Sequence, residues 1–106
     1  EFIVKKIIFV LILSFFFPLS AGNVGSDCMF KGKKLYGKVQ IVSSFPDIKV
    51  QVVDSFPDLK VQMVNSFPSS CGKWQSVTSF PDFKIQFVTS FPDIKIKYES
   101  SFPGVL

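Results

Sequence analysis

A chain of 106 residues has room for one small domain. Its 12 basic residues are all lysine, against 8 acidic ones and no histidine, giving a net charge of +4. With neither His nor Arg, it lacks the commonest general base, the commonest zinc ligand and the usual phosphate clamp, which weighs against most hydrolytic, metal-dependent and phosphate-binding chemistry.

The first element is a leader. Lys5 and Lys6 precede an apolar run from Ile7 to Phe17 that stops at Pro18, and the small residues Ser20, Ala21 and Gly22 follow. A basic start, a short apolar stretch and a small-residue exit describe a secretory signal peptide over residues 1–22. The run falls short of the ~20 apolar residues that span a bilayer. The chain opens on Glu1 rather than Met, which predicts a natural start further upstream. Removal of the leader predicts a secreted or periplasmic bacterial protein. From Asn23 onward ten Lys face seven Asp and Glu, a mild positive balance. The cluster of Lys31, Lys33, Lys34 and Lys38 reads as a solvated surface, and no nucleic-acid partner is expected.

Residues 23–36 form an N-terminal arm containing Cys28, and Cys71 lies near the middle of the stretch 37–106 that follows. An even cysteine count in an exported protein predicts a disulfide between them. Closing a loop of some 40 residues stabilises by about 3–4 kcal/mol in the chain-entropy model. Neither cysteine has a second Cys or a His beside it, so no metal site or cofactor is expected.

From Gly37 onward the chain is a repeat. Ser-Phe-Pro occurs six times, with phenylalanines at Phe45, Phe56, Phe67, Phe80, Phe91 and Phe102, spaced by 11 residues within each half. Gly37 matches Gly72, and the correspondence runs through to Phe67 and Phe102. This is a tandem duplication of a three-unit block, with halves at 37–71 and 72–106. Proline in every unit excludes a long helix. Ile48, Val50 and Val52 alternate with Lys49 and Gln51, and Leu59, Val61 and Met63 with Lys60 and Gln62. Phe83, Ile85 and Phe87 alternate with Lys84 and Gln86, and Ile94, Ile96 and Tyr98 with Lys95 and Lys97. Each set predicts a strand with one face in the core and a Lys/Gln face toward water. Eleven is odd, so a continuous strand would turn its apolar set over at every unit. Val-x-Ser-Phe-Pro-Asp is the expected reset: a sharp bend, with Val53, Val64 and Val88 breaking alternation as a bulge does. The six phenylalanines are then expected as corner pieces that fill the core rather than stack on a ligand, and Trp74, which stands where the first half has Val39, is expected inside as well.

The Gly37-Lys38-Val39 and Gly72-Lys73-Trp74 openings, the D-x-K starts at Asp47, Asp58, Asp82 and Asp93, and the V-x-S exits at Val42, Val53, Val64, Val77 and Val88 resemble the bacterial 7(1) septoil knot domain family. The resemblance covers about Gly37 to Val105. It implies a compact all-β domain, two tandem three-strand blocks threaded into a seven-crossing knot, and it implies no activity. The alternative architecture is a short β-solenoid.

Asp47, Asp58, Asp82 and Asp93 are the surviving enzyme idea, as paired carboxylates. They recur at one place in every unit, whereas acid–base pairs need different environments, so no enzyme and no catalytic residues are expected. Two readings remain: an exported, kinetically stable structural or interaction module, and a binding module for an envelope polymer (acidic glycan or lipid headgroup) along Lys49, Lys60, Lys84, Lys95 and Lys97. Proline in each unit and lysine on each outer face favour a monomer.

Overall fold

The computed structural model describes residues 24–105; the expected leader over residues 1–22 lies outside them. The described residues hold eight strands and no helix: β1 (Met29–Phe30), β2 (Lys33–Lys34), β3 (Gly37–Ile41), β4 (Ile48–Val52), β5 (Leu59–Met63), β6 (Lys73–Ser76), β7 (Phe83–Phe87) and β8 (Ile94–Tyr98). The β1–β2 hairpin lies in the arm. The other six close into a barrel in the order β3-β6-β5-β8-β4-β7, so the solenoid alternative does not hold.

All six ladders of the barrel are parallel. Strand β3 lies between β6 and β7, β4 between β7 and β8, and β5 between β8 and β6. No strand therefore has a neighbour from its own half. The register is equally regular. Val39 corresponds to Trp74 in the duplication but pairs with Ser76, two residues further on, and on its other edge it pairs with Phe83, which opens β7 as Gly37 opens β3. Each strand is slid two residues past the next, always in the same sense. An even slide keeps inward side chains inward, and a large stagger tilts the strands so that a few can close a barrel.

The first and third positions of the strands fill the interior. Ile48, Val50, Leu59, Val61, Phe83, Ile85, Ile94 and Ile96 are buried, with Val39 and Trp74 beside them. Trp74 and Phe83 meet edge to face, with ring centroids 5.5 Å apart. The arm shuts one end. Leu35 is wholly buried, and its carbonyl accepts hydrogen bonds from the Trp74 indole (3.0 Å) and the Gly72 amide (3.1 Å). The Cys28–Cys71 disulfide ties the arm to the joint between the halves.

Three expectations need correction. Val52, Met63, Phe87 and Tyr98 have core parity but are half-exposed, because the fifth residue of each parallel strand reaches the same open mouth. Val53, Val64 and Val88 form no bulge. Each lies just past a strand and donates one last ladder hydrogen bond, to Ile96, Trp74 and Val50 respectively. The phase is reset in the bend that follows. The third correction concerns the six Ser-Phe-Pro phenylalanines, which fill no core and stand exposed on the bends.

At the joint, a Cβ on Gly72 would meet the Lys60 carbonyl, the Gly104 amide and Pro103. Its φ is +81°, as is that of Gly32, beside which there is open space. The pair separates backbone strain from close approach. Gly32→Ala should cost about 1 kcal/mol, and Gly72→Ala roughly 2–4 kcal/mol, since overpacking adds to the strain. Chemical denaturation of the two variants measures the difference.

Candidate functional site

The bends are built by the strands they cross. Val42, at the end of β3, donates to the Ile85 carbonyl, and Asp47, at the start of β4, donates to the Lys84 carbonyl. The four residues between them therefore pass over the outer face of β7, the strand that separates β3 from β4. Two side chains clamp the crossing: the Asp47 carboxylate accepts the Lys84 amide hydrogen at 2.8 Å, and the Gln86 side-chain amide donates to the Ser43 carbonyl at 3.1 Å. The same set recurs. Asp82 accepts from the Lys38 amide and Gln40 donates to the Thr78 carbonyl, where a second-half bend crosses β3. Asp93 and Gln51 do this across β4. Asp58 accepts from the Lys95 amide across β8. After β8 the chain closes on β5, where Gly104 and Lys60 exchange both backbone hydrogen bonds at 2.9 Å. The four repeated aspartates thus hold equivalent places, each carboxylate accepting the backbone amide of a crossed strand.

At the outer side of each bend stands its phenylalanine. All six are 85–93% exposed, with φ between +53° and +55°. A left-handed backbone suits Gly or Asn and is an outlier for a bulky residue; it costs about 1–2 kcal/mol. Burial gives nothing back here. Through the clamps, each bend phenylalanine shares its crossing with a lysine of the other half: Phe45 with Lys84, Phe56 with Lys95, Phe80 with Lys38, Phe91 with Lys49, and Phe102 with Lys60. Phe67 lies on the linker to Cys71 and has no such crossing.

The five lysines expected to form one polar face are distributed otherwise. Lys49, Lys60 and Lys84 lie on β4, β5 and β7, while Lys95 and Lys97 share β8. They make a belt around the barrel. Lys49, Lys84 and Lys95 are exposed; Lys60 and Lys97 are half-buried side by side in the β5–β8 ladder, and Lys97 pairs with Glu99 at 3.6 Å. Two concavities complete the surface. One is an open hollow of about 400 Å³ between the arm and β7, lined by Lys33, Lys34, Tyr36, Pro68 and Asp82 among others. The other is the apolar barrel mouth, a dimple of about 20 Å³ ringed by Ile41, Met63, Ser76, Phe87 and Tyr98. Among the described residues no cluster of three or more His, Cys, Asp and Glu side chains is placed to hold a metal.

Two outcomes follow for these side chains. Phe56→Asn, which suits the left-handed backbone, should stabilise the protein by about 0.5–1 kcal/mol in urea unfolding; a loss of stability would mean that the ring packs on the fold. Burial at the mouth raises the Tyr98 pKa above 10.0 by desolvating its phenolate. A raised folded-state value stabilises fully below the ordinary pKa and is lost as pH climbs through the folded one. Alkaline unfolding should therefore set in above pH 10.0 and be blunted in Tyr98→Phe, as near-ultraviolet absorbance and circular dichroism would show.

The family model described as 7(1) septoil knot domain matches residues 32–106. A protein of Synechocystis sp. (strain ATCC 27184 / PCC 6803 / Kazusa), described as "Uncharacterized protein slr1025", is 68% identical over 26 residues. That stretch takes in 24% of this chain and 22% of the relative.

Proposed function

We propose, from the premise that the chain belongs to the 7(1) septoil knot domain family, that it is an exported, kinetically stable structural or interaction module and not an enzyme. The observation that carries this reading is the alternation of the two halves around the barrel. A sheet ordinarily opens from an edge, and this barrel has none. Releasing any first-half strand means parting it from two second-half strands and lifting off the bend that crosses it. Local opening is thereby tied to global opening, and the unfolding barrier rises.

The disulfide supports an oxidising compartment beyond the cytoplasm. The absence of His and Arg from the sequence supports a non-catalytic role, as does the commitment of Asp47, Asp58, Asp82 and Asp93 to backbone amides. A closed barrel supports a monomer. The binding reading, an envelope polymer on the lysines, gains from the exposure of Lys49, Lys84 and Lys95, although the surface to consider is now the belt.

Limited proteolysis under native conditions, read as a time course beside a denaturant-unfolded sample, tests the module. The folded protein should outlast the unfolded one by orders of magnitude, with an unfolding half-life of hours or longer. Complete digestion within minutes would remove this reading.

A further inference from the structure

The disulfide encloses one half of the interleaved chain and leaves the other outside. Cys28 precedes and Cys71 follows the first-half strands β3, β4 and β5, so with the bond formed residues 28–71 are a closed covalent ring. The second-half strands β6, β7 and β8 all come after Cys71 and form no part of it. The clasp stands where the second half makes its last crossing: a Cβ on Gly104 would lie 3.9 Å from the Cys71 Sγ.

The second half meets this ring in a fixed order. Residues 77–82 pass over β3, bonded to the carbonyls of Val39 and Lys38, and β7 then runs beneath the ring's bend at 42–47. Residues 88–93 pass over β4, bonded to the carbonyls of Val50 and Lys49, and β8 runs beneath the bend at 53–58. Residues 99–104 pass over β5, bonded to the carbonyls of Val61 and Lys60. Over and under alternate at every step. The second half therefore winds through the ring and cannot be lifted from it sideways.

We propose that the Cys28–Cys71 bond makes the domain a redox-set lasso, in which the oxidised chain ties and unties from its C-terminal side alone and the reduced chain from either side. In the reduced chain the first half is as free to withdraw as the second, since β3 and β4 lie beneath the bends at 77–82 and 88–93 just as β7 and β8 lie beneath 42–47 and 53–58. The bond shuts that route, because the arm that would lead the withdrawal is held at Cys71. Chain upstream of Cys28, long or short, is never threaded, and tension on it leaves the crossings intact. Chain beyond residue 104, long or short, must follow β8 beneath the bend at 53–58 and then β7 beneath the bend at 42–47. Besides restricting the unfolded chain, the bond thus removes one of two exits, which acts on the barrier and not on the equilibrium. This lock rests on the reading of a kinetically stable module yet fails separately from it: proteolysis measures how slowly the fold opens, and refolding with one end blocked measures which end opens it.

The test blocks one end at a time. A small domain that stays folded in urea is fused to the full chain, before Glu1 in one protein and after Leu106 in another. Each is untied in urea with dithiothreitol, which reduces the bond to two thiols and is itself oxidised to a cyclic disulfide. The chain is then kept reduced, or its ring is closed in urea by oxidised glutathione, which leaves as two glutathione thiols. On dilution, the near-ultraviolet circular dichroism of the buried Trp74 reports recovery. In the oxidised pair the C-terminal block should slow recovery at least ~10-fold relative to the N-terminal block, since the added domain has to follow the chain beneath the ring. In the reduced pair the two rates should agree within a few-fold. Equal recovery of the oxidised pair would overturn the lasso, and so would a C-terminal block that slows the reduced chain as much as the oxidised one. A second measurement needs no reduced fold. Ligating the C-terminal block onto folded, oxidised protein gives a covalently identical molecule whose ring is already threaded; after brief unfolding in urea it should recover as fast as unblocked protein. Recovery as slow as that of the molecule closed before threading would overturn the proposal.

Discussion

Parallel pairing over short connectors is the constraint on which the rest of this structure depends. Two adjacent parallel strands in one sheet ordinarily need a crossover of a dozen or so residues between them. Between β3 and β4 there are only six, residues 42–47, and the same holds between β4 and β5 and between β7 and β8. β5 and β6, joined by the nine residues 64–72, do pair directly, but strands joined by only six cannot lie side by side. Each leaves a slot one strand wide, and the bend must pass over whatever fills it. The second half fills it, since its strands carry the same alternation and the same spacing. Duplication is thus a condition of closure: either half alone is three parallel strands with gaps between them and no hydrogen-bonding partners.

That geometry explains residue choices that look merely repetitive in the sequence. Asp at the foot of the bend and Gln on the strand are two jaws of one clamp, contributed by opposite halves. Asp47 reaches Lys84 and Gln86 reaches Ser43, while Asp93 reaches Lys49 and Gln51 reaches Thr89. The units of β4 and β7 both cross and are crossed, and each carries both jaws: Asp47 with Gln51, and Asp82 with Gln86. Where the pattern lapses, a local reason is visible. Lys97 stands where the other strands have Gln and pairs with Glu99 instead. Gly104 takes the place of Asp, because at the closing crossing the backbone of Lys60 is held by backbone and Gly72 presses against both.

Much of this was legible beforehand. The inward set around Ile48, Val50, Leu59, Val61, Ile85 and Ile96, the outward lysines and glutamines, the resetting bend, the buried Trp74 and the Cys28–Cys71 bridge follow from period-two alternation, proline and cysteine counting. The pairing partners were not legible, because near-identical units offer every strand the same edges, and only connector length and the two-residue slide choose among them. Nor was the exposure of Val52 and Met63, since parity says which way a side chain points and not how far along the barrel it lies. The phenylalanines misled for a plainer reason. An aromatic residue flanked by proline in an apolar repeat reads as core by hydrophobicity, while the left-handed φ that throws it outward is invisible in composition. The signal that was available is their invariance beside a core that drifts.

Local rules and global fold usually agree in a protein, and places where they part identically and repeatedly point to a demand from outside the fold. Here backbone preference, burial and hydrophobicity all disfavour phenylalanine at the bend, and the domain keeps it in all six units. A small domain tolerates six such penalties only if its stability does not hang on any single bend. The alternating barrel bears on that tolerance: backbone bonds to the crossed strand hold five of the bends at both ends, and the disulfide ties down the linker that carries Phe67. Interleaving and strain thus meet at the bends, where a closed barrel holds outward six rings whose backbone is in a region that disfavours them.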